Sequence, residues 1–146
     1  MKVSRAKVAV LALLGACALR ADLNQVMAEP NLERRSRAAL EHADRALKAA
    51  REAYTSGDME AVTRELDELC KAVELADSSL KETGKNPSKS PKHFKHAEKE
   101  IRGLLKKLDA FGQDMNVGDR SLIDGVKEKL QRVQESILLG ILGKKK

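Results

Sequence analysis

The sequence predicts an all-α protein: an antiparallel, up-and-down four-helix bundle, built as two long helical hairpins, after an N-terminal signal peptide. Three observations predict it. Apolar residues recur at gaps of three and four along four separate segments, which puts each set on one face of a helix. Ala, Leu, Glu, Lys and Arg dominate, and no stretch alternates Val, Ile, Thr or Tyr with polar residues as a strand would. The first 21 residues have a different character from the rest.

That opening segment carries Lys2, Arg5 and Lys7, then an apolar run from Val8 to Leu19, then small residues. This is the layout of a bacterial secretory signal. The run is about 12 residues, short of the ~20 needed to span a membrane as a helix. Three processing points compete. Val26-Met27-Ala28 would leave a chain starting at Glu29, and Leu19-Arg20-Ala21 one starting at Asp22. Leu14-Gly15-Ala16-Cys17 resembles a lipobox, the bacterial lipoprotein signal, and that resemblance implies lipidation of Cys17. The expected address is periplasmic or secreted, with a lipid anchor through Cys17 as the alternative.

The expected organisation is a signal peptide at 1–21 (cleavage between 16 and 28) and an extension or short helical turn at 22–30. A bundle at 31–143 and a basic tail at 144–146 complete the chain. Within 22–30, Leu23, Val26 and Met27 share one face, and Pro30 ends the turn. The predicted bundle helices cover about 31–55, 58–82, 91–115 and 120–142.

Asn31 is a natural N-cap for the first helix. Its stripe is Leu32, Ala39, Leu40, Ala43, Ala46, Leu47, Ala50 and Tyr54, rich in Ala and so suited to close approach. Gly57 fits a left-handed C-terminal cap, and Asp58 can cap the second helix. That second helix carries Met59, Val62, Leu66, Leu69, Val73, Ala76 and Leu80, an unbroken heptad stripe that Gly84 stops. After a polar connection over 82–90, Ser90 is the expected N-cap with Pro91 in the first helical position.

The third stripe is Phe94, Ala97, Ile101, Leu104, Leu108, Phe111 and Met115. Asp119 or Ser121 is expected to cap the last helix, with Ile123, Val126, Leu130, Val133, Ile137 and Ile141 as its stripe. Short connections favour antiparallel neighbours, and a helix of about 25 residues, roughly 37 Å long, cannot bury its stripe alone. A monomeric bundle and a homodimer of hairpins both satisfy this pattern.

One local likeness stands out. Ala53-Tyr54 followed by Gly57-Asp58 is similar to the turn inside a tetratricopeptide-repeat helix pair. It covers about ten residues and is not repeated, so no peptide-binding function is carried over from it.

The formal charge of +6 overstates how basic the folded part is. Four of the 28 basic residues and no acid lie in 1–21, leaving 24 basic against 22 acidic residues, a net of +2. Aromatics are 2% and Trp is absent, so base stacking has little to use; no nucleic-acid partner is expected. The sequence lacks a Gly-rich phosphate loop, a Gly-x-Ser-x-Gly elbow, a His-Glu-x-x-His pair and a Cys-x-x-Cys-His haem site. No catalytic residue is assigned, no cofactor is expected, and the chain reads as a binding protein rather than an enzyme.

Several residues are candidates for chemistry. Of the three histidines, His42, His93 and His96, the last two share a helical face at a spacing that could hold a metal, though Lys92, Lys95 and Lys99 crowd them. A periplasmic bundle holding metal, haem or an anionic ligand is therefore the alternative function, and a membrane-tethered lipoprotein a further one. Lys85, Lys89, Lys92, Lys95 and Lys99 form a basic segment for an anion, an envelope protein or an anionic surface. Cys70 is expected in the core, or else in a disulfide to a second chain. Ile137-Leu138-Leu139-Gly140-Ile141-Leu142 is apolar on every side before the lysines at 144–146. That pattern suits peripheral membrane contact, but cover by Leu23, Val26 and Met27 is the preferred expectation.

Overall fold

A computed structural model of the chain describes residues 23–144. Among these there are five α-helices, four of them long, and no strand. They are α1 (Leu23–Met27), α2 (Leu32–Thr55), α3 (Met59–Glu82), α4 (Lys92–Asp114) and α5 (Ser121–Ile141), with a 3-10 turn at Val117–Asp119 before α5. The structure is a helical bundle. The signal segment and Cys17 lie outside the described residues.

The first two long helices start as their sequences dictate. Asn31 sits in extended backbone and its side chain accepts from the Arg34 N–H at 2.9 Å. Asp58 does the same for the Ala61 N–H at 3.1 Å. Gly57 between them has φ +76°, a conformation costly for any residue with a Cβ, so the tight turn into α3 depends on it.

The other two caps differ from expectation. Helix α4 begins at Lys92, not at Pro91, and no side chain caps it. Ser90 is drawn backwards: its N–H donates to the Asn86 carbonyl at 2.8 Å. Asn86 organises this connection, its Oδ1 accepting from Ser88 N (3.0 Å) and Ser88 Oγ (2.7 Å). At α5 neither Asp119 nor Ser121 caps; Arg120 occupies the position. The Asp119 carboxylate instead accepts from Tyr54 Oη at 3.0 Å, and that hydroxyl accepts from Asn116 N at 2.9 Å. A long-range bond has displaced a local one.

The stripes form one core. Every apolar position of the third stripe is buried, from Phe94 to Met115, as are the second-helix positions from Val62 to Leu80. Alanines 39, 43, 46 and 50 of α2 are at most 3% exposed, so the helix approaches its neighbours through methyl groups, and it packs most extensively on α3. Small residues Ala72, Ala76 and Ser79 of α3 are also fully buried. The last stripe is looser: Val133 and Ile141 are only partly buried.

Helices α4 and α5 pack together, α3 touches α5, and α2 touches α4. Between α2 and α3, Arg35 meets Glu82 and His42 meets Glu68, so residue numbers rise on one helix as they fall on the other. Glu98 with Gln134, and Asp109 with Lys127, step the same way between α4 and α5. Between α2 and α4 the numbers rise together, through Asp44 with Lys107 and Arg51 with Asp114.

The C-terminal apolar run is covered only in part. Helix α1 packs on α2, burying Val26, while Met27 is 54% exposed. The 82–90 connection meets the end of α5. Pro87 Cγ lies 3.2 Å from where a Cβ on Gly140 would stand, and Ser88 Cβ 3.7 Å from the same point on Gly143. Leu138 and Leu142 stay uncovered, at 42% and 58% exposure.

The packing makes two expectations measurable. Leu108 is fully buried, so Leu108→Ala removes a filled site and is expected to cost about 2–5 kcal/mol in urea denaturation. Tyr54→Phe keeps the ring, which packs edge-on to Phe111 at 5.8 Å, and removes only the hydroxyl between Asp119 and Asn116. It is expected to cost about 1 kcal/mol in the same assay; no change would mean the hydroxyl holds nothing.

Candidate functional site

The basic segment becomes two distinct sets in three dimensions. Lys85, itself exposed, forms an ion pair with Glu33 of α2. His93 reaches the other oxygen of the same carboxylate, Nε2 to Oε2 at 3.1 Å. The Lys85 hydrogen bond holds the Glu33 carboxyl below its ordinary value; burial opposes it, and the charges of His93, Lys85 and Lys92 each add a lesser pull downward. Glu33 thus ties the start of α2 to the 82–90 connection and to the start of α4.

Lys89, Lys92, Lys95 and Lys99 are exposed, and no carboxylate stands within 4 Å of any of them among the described residues. The line also runs beyond Lys99. Arg102 and Lys106 continue the three-four spacing, so Lys92, Lys95, Lys99, Arg102 and Lys106 form one exposed stripe on α4, about 21 Å long. The signal was present in the +3/+4 spacing itself. The acids of α4 mostly point sideways: Glu98 to Arg102 and Gln134, Asp109 to Lys127, and Asp114 to Arg51. Glu100 is exposed on the same helix.

The charge is segregated across the bundle. Helices α2 and α4 each have six basic and four acidic residues, whereas α3 has three basic and seven acidic. Helices α3 and α4 touch each other least among the long helices that pack together. An anion therefore meets attraction along α2 and α4 and repulsion along α3.

The histidines do not assemble into a site. His93 is engaged with Glu33, and His96 is half-buried one turn on. No group of three His, Cys, Asp or Glu side chains placed to hold a metal occurs among the described residues. His42 is the histidine that the apolar stripe concealed. It is 8% exposed, with Nε2 3.0 Å from Glu68 Oε1 and Nδ1 buried without a hydrogen-bond partner. A proton on Nε2 makes that contact a hydrogen bond, so the ring acts as a polar joint between α2 and α3.

An open groove of about 370 Å³ lies between α2 and α4, lined by Asp44, Leu47, Lys48, Arg51, Glu52 and Lys107. Asp44 and Lys107 pair across it, and Arg51 lies 5.5 Å above the Phe111 ring while bonding Asp114 at 2.8 Å. Two of its charged pairs, Asp44 with Lys107 and Arg51 with Asp114, are neutralised, while Lys48 and Glu52 line its exposed edge.

Cys70 is a free thiol in the core, 5% exposed, and burial raises its pKa. A disulfide to a second chain would require the helix to leave its packing. The native protein is therefore expected to resist a thiol-specific dye such as Ellman's reagent and to react in urea. Rapid reaction of the folded protein would place Cys70 at the surface and undo this assignment.

Among the described residues no helix is long and apolar enough to cross a membrane. No family model matches the chain, and neither a curated protein nor a solved structure matches it.

Proposed function

We propose that the protein is an exported, non-catalytic, antiparallel up-and-down bundle of the bacterial envelope. It acts by binding an anionic partner or surface through the lysine face of α4, as a scaffold, adaptor or accessory factor. The signal-like layout of residues 1–21 supports the address. The observation that carries the binding reading is the stripe Lys92, Lys95, Lys99, Arg102 and Lys106, exposed in register on one helix. Exposed cations in a row attract polyanions at long range, and salt screens that attraction.

The test is fluorescence anisotropy with labelled dextran sulfate at low and high salt. The wild-type protein is expected to bind and to weaken as salt rises. Lys92→Glu/Lys95→Glu/Lys99→Glu is expected to weaken binding about tenfold or more, because three reversals turn attraction into repulsion. Lys129→Glu, at an exposed position of α5, serves as the control and is expected to change little. No binding at low salt, or an equal loss in Lys129→Glu, overturns the proposal.

A further inference from the structure

We propose that one pole of the bundle seats on an anionic lipid surface. This rests on the anionic-partner reading and adds an apolar element to it. The described residues expose four large apolar side chains: Met27, Val117, Leu138 and Leu142. Three of them stand at the same end. Met27 precedes the α2 start, which is held to the chain before it by Arg35 Nε donating to the Glu29 carbonyl at 2.9 Å. Glu33, in the first turn of α2, binds Lys85 of the 82–90 connection. That connection lies against Gly140 and Gly143, between and beside the two exposed leucines. Only Val117 is at the opposite end, in the turn before α5.

Isolated exposed leucines are ordinary, but three large apolar side chains at one end of a chain with so few aromatics form a contact surface. Its chemistry is set by what surrounds it. Lys89, Lys92 and Lys144 are exposed at this pole. Three acids there are engaged, Glu33 with Lys85 and His93, Glu82 with Arg35, and Glu29 accepting from Asn31 N at 3.1 Å, while Glu135, one turn before Leu138, is exposed. The surface is thus apolar in its parts and basic at its rim. A protein partner could match either property, but an anionic bilayer offers both at once, headgroup charge above an apolar layer.

No described helix could cross that layer, so the contact is peripheral. The segment upstream joins the described chain at Leu23, at this pole. Its sequence holds the apolar run Val8 to Leu19 and no acid through Ala21. A signal still attached, or a lipid on Cys17, would bring the same pole to the membrane.

The test is flotation of the full chain with phosphatidylcholine vesicles, with and without about one third phosphatidylglycerol. Dextran-sulfate binding is measured in parallel. Leu138→Ser/Leu142→Ser carries the same upstream segment as wild type, so the difference between them reads the pole. The expected result is stronger flotation of wild type on the anionic vesicles and about tenfold weaker flotation of the serine variant, with dextran-sulfate binding and helix content unchanged. Lys89→Glu/Lys92→Glu is expected to lose both. Equal flotation of wild type and the serine variant overturns the pole. Dextran-sulfate binding without flotation also overturns it, and makes the partner a soluble polyanion. Loss of both in wild type removes the anionic reading with it.

Discussion

Four long helices with one apolar stripe each are unstable apart and can bury those stripes only against one another. A helix of this length owes little of its stability in water to intrinsic propensity and most of it to tertiary packing. Everything else in the molecule is arranged around that burial. The alanine row of α2 sets how near α3 can come, and the larger Phe94, Ile101, Leu104, Leu108 and Phe111 of α4 fill the space that remains. Ion pairs on the outside add little stability each when exposed. Their value here is orientation, since Asp44 with Lys107 and Arg51 with Asp114 fix the register of α2 against α4.

The polar atoms inside the bundle show how much freedom that core leaves. Ser79 Oγ and His42 Nδ1 are buried without partners among the described residues. An unsatisfied buried polar atom costs more than the same volume of apolar side chain. Both sit where a small or flat residue fits between α2 and α3, so close packing of those helices is favoured over satisfying every polar atom. The sequence could not reveal this. His42 falls between Leu40 and Ala43 of the stripe, and only the partner helix decides whether such a position faces in or out.

Local and long-range causes divide the remaining features in the same way. The heptad rows of α3 and α4 were legible because helical periodicity is a property of the chain itself. The Asn31 and Asp58 caps were legible because a cap bonds three residues away. The Asp119 cap failed because Tyr54, 65 positions earlier in the chain, holds that carboxylate. The basic segment divides likewise. Exposure of Lys89 to Lys99 on one face followed from spacing, while the capture of Lys85 by Glu33 needed a helix 52 residues away. Leu138 and Leu142 were legible as an apolar run, but the cover over that run was not. Pro87 and Ser88 fill the glycine notches at the end of α5, a contact across a long stretch of chain that spacing alone does not carry.

The Glu33 cluster explains why the basic surface has a direction. If Lys85 and His93 stood free, cations would surround the 82–90 connection on all sides. Because one carboxylate engages both, Lys89 is the cation of this connection left unpaired, and it leads into the outward line of α4. That line runs from the pole bearing the exposed leucines toward the middle of the bundle. Charge along the side and apolar side chains at the end give two different grips on a partner. A soluble polyanion could lie along the first without touching the second. A membrane would meet the pole with Lys89 and Lys92 at its rim, and the rest of the lysine line only if the bundle tilts. The two geometries are separable because Lys99, Arg102 and Lys106 lie too far down α4 to reach a flat surface that the pole contacts end-on.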